Sequence, residues 1–176
     1  MPILPYKGVM PTIEENVFIA PGAMVIGNVT IREGASVWYN AVIRADTAPI
    51  VIGHRTNIQD NCTLHVDSDA PLTIGDGCTI GHGAVVHGAT LGDQVFVGTK
   101  AVVLSHAQIG SRTMVGACAL VGEGKNIPEG VLILGIPAKY ARELTEAELE
   151  HIVSSAEGYH ERALVHKKSI ATVPPE

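Results

Sequence analysis

The sequence predicts an all-β solenoid, a parallel β-helix of six-residue repeats, followed by one C-terminal α-helix. An aliphatic residue recurs at every sixth position in four runs, and glycine often comes directly after it. A period of six fits neither an amphipathic helix nor an alternating strand, but it fits short strands joined at tight corners. The repeat positions are Ile13, Ile19, Val25, Ile31, Val37 and Ile43; Ile52, Ile58 and Leu64; Ile74, Ile80 and Val86; and Leu91, Val97, Val103, Ile109, Val115, Val121, Ile127 and Ile133.

Three repeats make one triangular coil of eighteen residues, so residues eighteen apart should stack at about 4.8 Å, the spacing of neighbouring strands. The repeat is interrupted three times: the steps 43 to 52 and 64 to 74 are longer than six residues, and 86 to 91 is shorter. All three interruptions leave from the same face of the predicted prism. Irregularity confined to one face of a strict repeat predicts that the functional site lies there.

The 176 residues are expected to form a single domain with a helix after the repeats. Thr145 and Glu148 have the spacing of a helix capping box, and apolar residues at helical spacing follow as far as Ala163. This helix should pack on the flank of the β-helix or on a neighbouring subunit. The predicted segments are an extended lead-in over 1–12, the β-helix over 13–138, the helix over 145–166 and a tail over 167–176.

Composition narrows the classes of partner. Aromatic residues make up only 4% of the chain, which suits a narrow prism filled by aliphatic side chains. The formal net charge of −6, without a basic run, argues against nucleic-acid or anionic-membrane partners. No stretch has the length of a transmembrane helix, and Met1 to Gly8 lacks the order of a signal peptide, so a cytoplasmic location is expected.

The three cysteines show no paired spacing and are expected to be reduced. Cys62 and Cys78 occupy the position of the repeat that usually carries a small residue. We therefore interpret both as buried packing groups rather than nucleophiles or ligands.

Two histidines stand out by their position in the repeat. His65 and His87 each follow a repeat residue, and their separation of twenty-two residues equals one coil of eighteen plus the four-residue insertion. They should stack on adjacent coils, where two imidazoles can share one metal ion. His82 lies on a different face, so it could join them only if a second subunit brings that face to the pair. Each histidine alone could be a surface imidazole in a turn, but their stacking favours a metal site.

Other polar residues lie close to this pair in the predicted lattice. Arg44 is one coil below His65, and Asp46 follows at the first interruption; the two could form a surface ion pair or fix a subunit interface. Asn57 and Gln59 flank an inward repeat residue, and Gln59 should lie near His82. These amides could serve turns, or Gln59 could reach metal-bound solvent or substrate.

The motif set resembles the gamma-class carbonic anhydrases and their bacterial relatives over essentially the whole chain. The resemblance implies a left-handed β-helix and a homotrimer with one zinc, iron or cobalt ion at each of three subunit interfaces. The motifs that carry it are Arg44-Ala45-Asp46, Ala48-Pro49-Ile50, Thr56-Asn57-Ile58-Gln59-Asp60-Asn61, Leu64-His65, Gly81-His82 and Val86-His87-Gly88.

The resemblance also assigns roles to single residues. It implies that His65 and His87 of one subunit bind the metal together with His82 of the next. It further implies that Arg44 and Asp46 lie at the interface. The implied active-site groups are the amides Asn57 and Gln59 and, from the terminal helix, Tyr159.

The implied function is reversible hydration of CO2 to bicarbonate by a carbonic anhydrase-like lyase. The archetype has a glutamate after Arg-x-Asp and a long acidic loop that supply its proton shuttle, whereas this chain has Thr47 and a short loop over 67–71. Turnover is therefore expected to be slow. Two alternatives are a hexapeptide-repeat acyltransferase or acyl-CoA-linked enzyme, and a non-catalytic metal-stabilised trimer.

Overall fold

The computed structural model describes residues 3–172, in which twenty short strands precede one long helix. The strands wind into a parallel solenoid of about seven coils, which confirms the predicted parallel β-helix of six-residue repeats with a C-terminal helix. The elements are β1 (Ile3–Leu4), β2 (Thr12–Ile13), β3 (Phe18–Ile19), β4 (Met24–Ile31), β5 (Ser36–Val37), β6 (Val42–Ile52), β7 (Asn57–Ile58), β8 (Thr63–His65), β9 (Leu72–Ile74), β10 (Thr79–Ile80), β11 (Val85–His87), β12 (Thr90–Leu91), β13 (Phe96–Val97), β14 (Val102–Val103), β15 (Gln108–Ile109), β16 (Met114–Val115), β17 (Leu120–Val121), β18 (Asn126–Ile127), β19 (Val131–Leu134), β20 (Lys139–Glu143) and α1 (Glu146–Ala171).

Strands one coil apart pair in parallel, so the faces of the prism are sheets. One face is an eight-stranded sheet in the order β3-β5-β7-β10-β13-β16-β19-β20. The other two faces join into one sheet because the long strands β4 and β6 run along both of them. Below, "first face" means the strands β4, β6, β8, β11, β14 and β17, and "second face" means the eight-stranded sheet.

The repeat residues fill the prism. From Val25 to Val121, all sixteen repeat residues are at most 3% exposed. Their stacking at one strand spacing provides the apolar burial that stabilises the fold, since each fully buried aliphatic side chain contributes about 1.5–3 kcal/mol. Cys62 and Cys78 are fully buried beside this core, and burial raises the pKa of each thiol to about 12, which agrees with their interpretation as packing groups.

Glycine after a repeat residue lets adjacent coils approach. A Cβ atom built at Gly53 would lie 2.4 Å from the backbone of Gly75, one coil away. A Cβ atom at Gly122, which holds the same place in the repeat, would meet nothing within 4 Å. The glycine is thus required by coil spacing at the first position and not at the second.

The first interruption of the repeat is a continuous strand rather than a loop. Strand β6 runs from Val42 to Ile52 and pairs with β4 over 42–45 and again over 50–52, with a register shift between Gly27 and Val29 of β4. The lead-in also contributes to the sheet, because β1 pairs in parallel with β4 on the first face. The extra residues of β6 therefore bulge out at one corner, and this places Asp46 beside the first face.

The structure differs from the sequence prediction at the end of the coils. The predicted β-helix ends at 138 and no element was predicted between it and the helix, but β20 lies there and returns antiparallel to β19. All five residues of β20 are exposed. The strand therefore shows no alternation of buried apolar and exposed polar residues. It depends on backbone pairing, which the sequence does not reveal.

Helix α1 begins at the predicted capping box. The side chain of Thr145 accepts a hydrogen bond from the backbone N–H of Glu148, whose carboxylate accepts one from the backbone N–H of Thr145. The helix packs on the second face and continues to Ala171, five residues beyond the predicted end, because Ile170 still packs against the cluster around Trp38. The predicted tail beyond Thr172 lies outside the described residues. No helix within 3–172 is long and apolar enough to span a bilayer.

The coil spacing can be tested with paired glycine substitutions. Gly53→Ala should lower the free energy of unfolding by about 1–3 kcal/mol, because its methyl group overpacks the neighbouring coil. Gly122→Ala is the control and should leave stability near that of the unmodified chain. Urea denaturation of the metal-free proteins at equal chain concentration measures both, and equal stabilities of the two variants would contradict the packing argument.

Candidate metal centre

His65 and His87 are brought together by strand register. Strands β8 and β11 pair in parallel with His65 directly opposite His87. The four-residue insertion leaves the coil after His65 and rejoins it before β9, so it does not disturb this pairing. The ring centroids are 4.9 Å apart, and Nδ1 of His65 lies 2.9 Å from Nε2 of His87. The two imidazoles stack on one face, as the eighteen-residue lattice predicts.

The second ring nitrogen of His65 is held by a carboxylate. Its Nε2 lies 2.9 Å from Oδ1 of Asp46, and the other carboxylate oxygen, Oδ2, accepts a hydrogen bond from Arg44. Burial alone would raise the pKa of Asp46, but hydrogen bonds from His65 and the backbone, with the charge of Arg44, lower it overall. Asp46 is therefore an ionised carboxylate that orients His65.

His82 occupies the corner after β10, away from the other two histidines. Half of its side chain is exposed, and its Nδ1 lies 3.0 Å from Oδ2 of Asp60. Its backbone N–H donates to Oε1 of Gln59 at 3.1 Å. Within the described residues, 3–172, no three His, Cys, Asp or Glu side chains converge as a metal site. One chain by itself therefore supplies two adjacent imidazoles, and the third lies on another face.

The three histidines have the chemistry of metal ligands. Each has one ring nitrogen held by an oxygen partner: His65 by Asp46, His82 by Asp60, and His87 by the hydroxyl of Ser105 on the next coil. The other nitrogens of His65 and His87 face each other, and that of His82 faces the Tyr159 hydroxyl. Metal-binding histidines almost always have such a partner, which fixes the tautomer and the ring orientation. Imidazole donors suit zinc and neighbouring transition metals. The residues present thus fit a divalent metal.

The two amides form a buried network beside His82. The side-chain N–H of Asn57 donates to the carbonyl of Cys78 at 3.1 Å and to the hydroxyl of Thr79 at 2.9 Å. Gln59 donates to Oδ1 of Asn57 at 3.1 Å. Both amides are at most 5% exposed. They do not serve turns; instead, the network fixes the Gln59 side chain next to His82.

Tyr159 reaches the same corner from helix α1. Its ring packs edge-on against Trp38 at 5.2 Å between centroids, and its hydroxyl lies 3.4 Å from Nε2 of His82. Burial raises the pKa of the Tyr159 hydroxyl, so it remains protonated at neutral pH. The helix therefore places a neutral hydroxyl beside the free nitrogen of His82.

Two residues of this constellation were not singled out by the sequence. Asp60 directly follows Gln59, and Ser105 follows His87 by eighteen residues, one coil further on. That spacing was an available signal for Ser105. Neither residue type is unusual in a turn, so only the contacts with histidine distinguish them.

Comparisons with known proteins identify relatives over most of the chain. The family model for the bacterial transferase hexapeptide (six repeats) matches residues 10–45. A probable carbonic anhydrase of Methanocaldococcus jannaschii is 54% identical over 147 residues, which are 84% of this chain and 92% of that protein. The mitochondrial gamma carbonic anhydrase 2 of Arabidopsis thaliana is 42% identical over 89% of this chain, which spans 58% of that longer protein.

A solved structure shows the same fold. A hexapeptide transferase family protein from Anaplasma phagocytophilum has a TM-score of 0.89 and 39% identity, covering 92% of this chain and 95% of that one. The fold of the described residues therefore has a close solved counterpart, while the names of the relatives divide between two chemistries.

The histidine pair can be tested by metal content. The purified protein should hold about one divalent metal per chain, and His65→Ala or His87→Ala should lose most of it because each removes an imidazole from the pair. His106→Ala is the control, since the exposed imidazole of His106 pairs with Asp69 rather than with His65 or His87. Elemental analysis by mass spectrometry gives the stoichiometry, and full metal retention in either variant would refute the site.

Proposed function

The chain belongs to the gamma carbonic anhydrase family, and we propose that its paired histidines hold a metal used for the reversible hydration of CO2 to bicarbonate. The observation that carries this proposal is the close approach of His65 and His87, at 2.9 Å between ring nitrogens. The chain is thus a carbonic anhydrase-like lyase. Zinc is the proposed metal, with iron and cobalt as the other candidates for an imidazole site.

We further propose a homotrimer in which His82 of one subunit completes the site of the next. The outward side chains of the first face around His65 and His87 are apolar and only half-buried, whereas helix α1 covers the second face. An apolar sheet face with a polar centre suits contact with another subunit. Cyclic symmetry would then give three equivalent sites. The apolar residues are Met24, Ile26, Val42, Val85, Val102, Leu104 and Leu120.

When bound, such a metal acts as a Lewis acid that makes hydroxide available near neutral pH, a property for which carbonic anhydrases are themselves the type example. The protein supplies the positions around it. Asp46, Asp60 and Ser105 hold the imidazole rings in fixed orientations. This preorganisation avoids the cost of ordering the ligands during each turnover.

Gln59 is the proposed substrate-orienting group. Its Oε1 accepts the backbone N–H of His82, and its Nε2 donates to Asn57, so the amide cannot rotate freely. An amide nitrogen has two N–H groups, and the second remains available to an oxygen of CO2 or bicarbonate. Tyr159 offers a further hydroxyl on the helix side of the same corner.

Arg44 is the proposed interface residue. Its guanidinium binds Asp46 within the chain, yet 45% of its side chain remains exposed on the first face. A guanidinium has five N–H donors, so it can bind Asp46 and a group of the neighbouring subunit together. Arg44 would then tie the interface to the carboxylate that orients His65.

Proton removal from the site is the step expected to limit the rate of the proposed reaction. The position after Asp46 is Thr47, whose hydroxyl donates to the backbone carbonyl of Val66 at 3.0 Å and carries no charge. The loop that follows His65 is short and is closed by a backbone bridge between Asp67 and Ala70. With no glutamate here to carry protons, a rate limited by buffer is the expected behaviour.

The acyltransferase alternative fits the fold but does not account for the site. Such an enzyme requires one histidine base and a cofactor groove. It has no need for two imidazoles in direct contact on adjacent coils, each with its second nitrogen held. The metal-stabilised trimer without catalysis shares the metal site and differs only in turnover.

The rate of CO2 hydration and its dependence on buffer distinguish the catalytic hypothesis from the non-catalytic trimer. Metal-loaded protein should hydrate CO2 slowly at low buffer, and imidazole buffer should raise the rate by supplying a proton carrier. Stopped-flow measurement with a pH indicator gives the rate, and His106→Ala serves as a control that retains both His65 and His87.

A rate independent of buffer would show that a group of the chain already transfers the proton. No hydration by metal-loaded protein at any buffer concentration would contradict the proposed activity and favour the non-catalytic trimer.

A further inference from the structure

We propose that Ser105, held in turn by Asp67, is a positioning residue for His87. This inference rests on the proposed metal centre, but it concerns how the chain prepares one ligand rather than the reaction itself. Ser105 is 5% exposed, and its hydroxyl lies between His87 and the loop that follows His65.

The hydrogen bonds define the direction of donation. The Ser105 hydroxyl donates to Oδ2 of Asp67 at 2.8 Å, because a carboxylate can only accept. The serine oxygen then accepts from Nδ1 of His87 at 2.9 Å. This assigns the ring proton of His87 to Nδ1 and leaves a lone pair on Nε2, the nitrogen that faces His65. The serine and the carboxylate together select the tautomer that can bind a metal.

Packing fixes the loop that carries Asp67. Ala70, at the end of the bridge, is 1% exposed and lies against Gly88, where an added Cβ would be 2.7 Å from the Ala70 methyl group. The same Cβ would be 3.1 Å from the Ser105 hydroxyl. Gly88 therefore admits both groups to the space beside His87, and the loop cannot move away without losing a buried contact.

A second tether acts on the same loop without touching the ligand. Oδ2 of Asp69 lies 3.5 Å from Nε2 of His106, on the same coil as Ser105, and the Asp69 side chain is largely exposed. Asp67 and Asp69 are thus two carboxylates of one short loop, each facing the coil that carries Ser105 and His106. Only Asp67 is connected to His87, so the two form a matched pair for mutation.

Losing the positioning contact should weaken metal binding without unfolding the chain. Removal of such a partner of a metal-binding histidine typically costs about 10-fold to 100-fold in metal affinity. Ser105→Ala should show this loss, and Ser105→Thr, which keeps the hydroxyl, should recover most of the affinity. Asp67→Ala should weaken binding in the same direction, whereas Asp69→Ala should bind like the unmodified protein.

The experiment measures zinc affinity by competition with a chromophoric chelator, alongside thermal unfolding of each metal-free protein. Weaker binding in Ser105→Ala and Asp67→Ala, at unchanged metal-free stability, supports the inference. Unchanged affinity in both variants overturns it, as does an equal loss in Asp69→Ala. Should Ser105→Ala fail to fold, the exposed Asp67→Ala decides between the two outcomes.

The result is independent of catalysis. If the protein binds zinc in the expected order of affinities but does not hydrate CO2, the proposed activity fails and the positioning role stands. If the unmodified protein binds no zinc, the metal centre and this inference fail together.

Discussion

Stacking of aliphatic side chains inside a narrow prism constrains every other part of the structure. A repeat residue such as Ile58 is fully buried and lies between Val37 and Ile80 of the adjacent coils. A shift of one residue would turn this apolar side chain outward and a polar neighbour inward, so the register of each coil is strongly specified. Any insertion must therefore leave a coil and return to it at the same place.

This constraint explains why the candidate site is preorganised. The insertion after His65 changes what surrounds the imidazole pair but not the pairing itself, since β8 and β11 keep their register. The extra residues in strand β6 add Asp46 at one side of the His65–His87 pair, and the short loop adds Asp67 at the other. The coils supply rigid spacing, and the interruptions supply the chemistry, as expected for loops on a fixed scaffold.

The sequence was most informative where a side chain reports its own position. The repeat predicted the solenoid, the stacking of His65 on His87 and the approach of Gln59 to His82, because each follows from counting residues. It was uninformative where backbone pairing alone decides the structure, as in β20 and the uninterrupted β6. Ser105 was missed for a third reason: a serine in a turn becomes distinctive only once its contact with His87 is known.

The metal centre is tested most directly by asking whether one site takes ligands from two chains. Neither His65→Ala nor His82→Ala alone can form a complete site in a homotrimer. When the two variants are refolded together, each mixed trimer has one interface of three that joins intact His65 and His87 to an intact His82. If the site is shared between subunits, bound metal, measured per chain, rises above that of either variant alone. Metal no higher in the mixture than in the separate variants would contradict it.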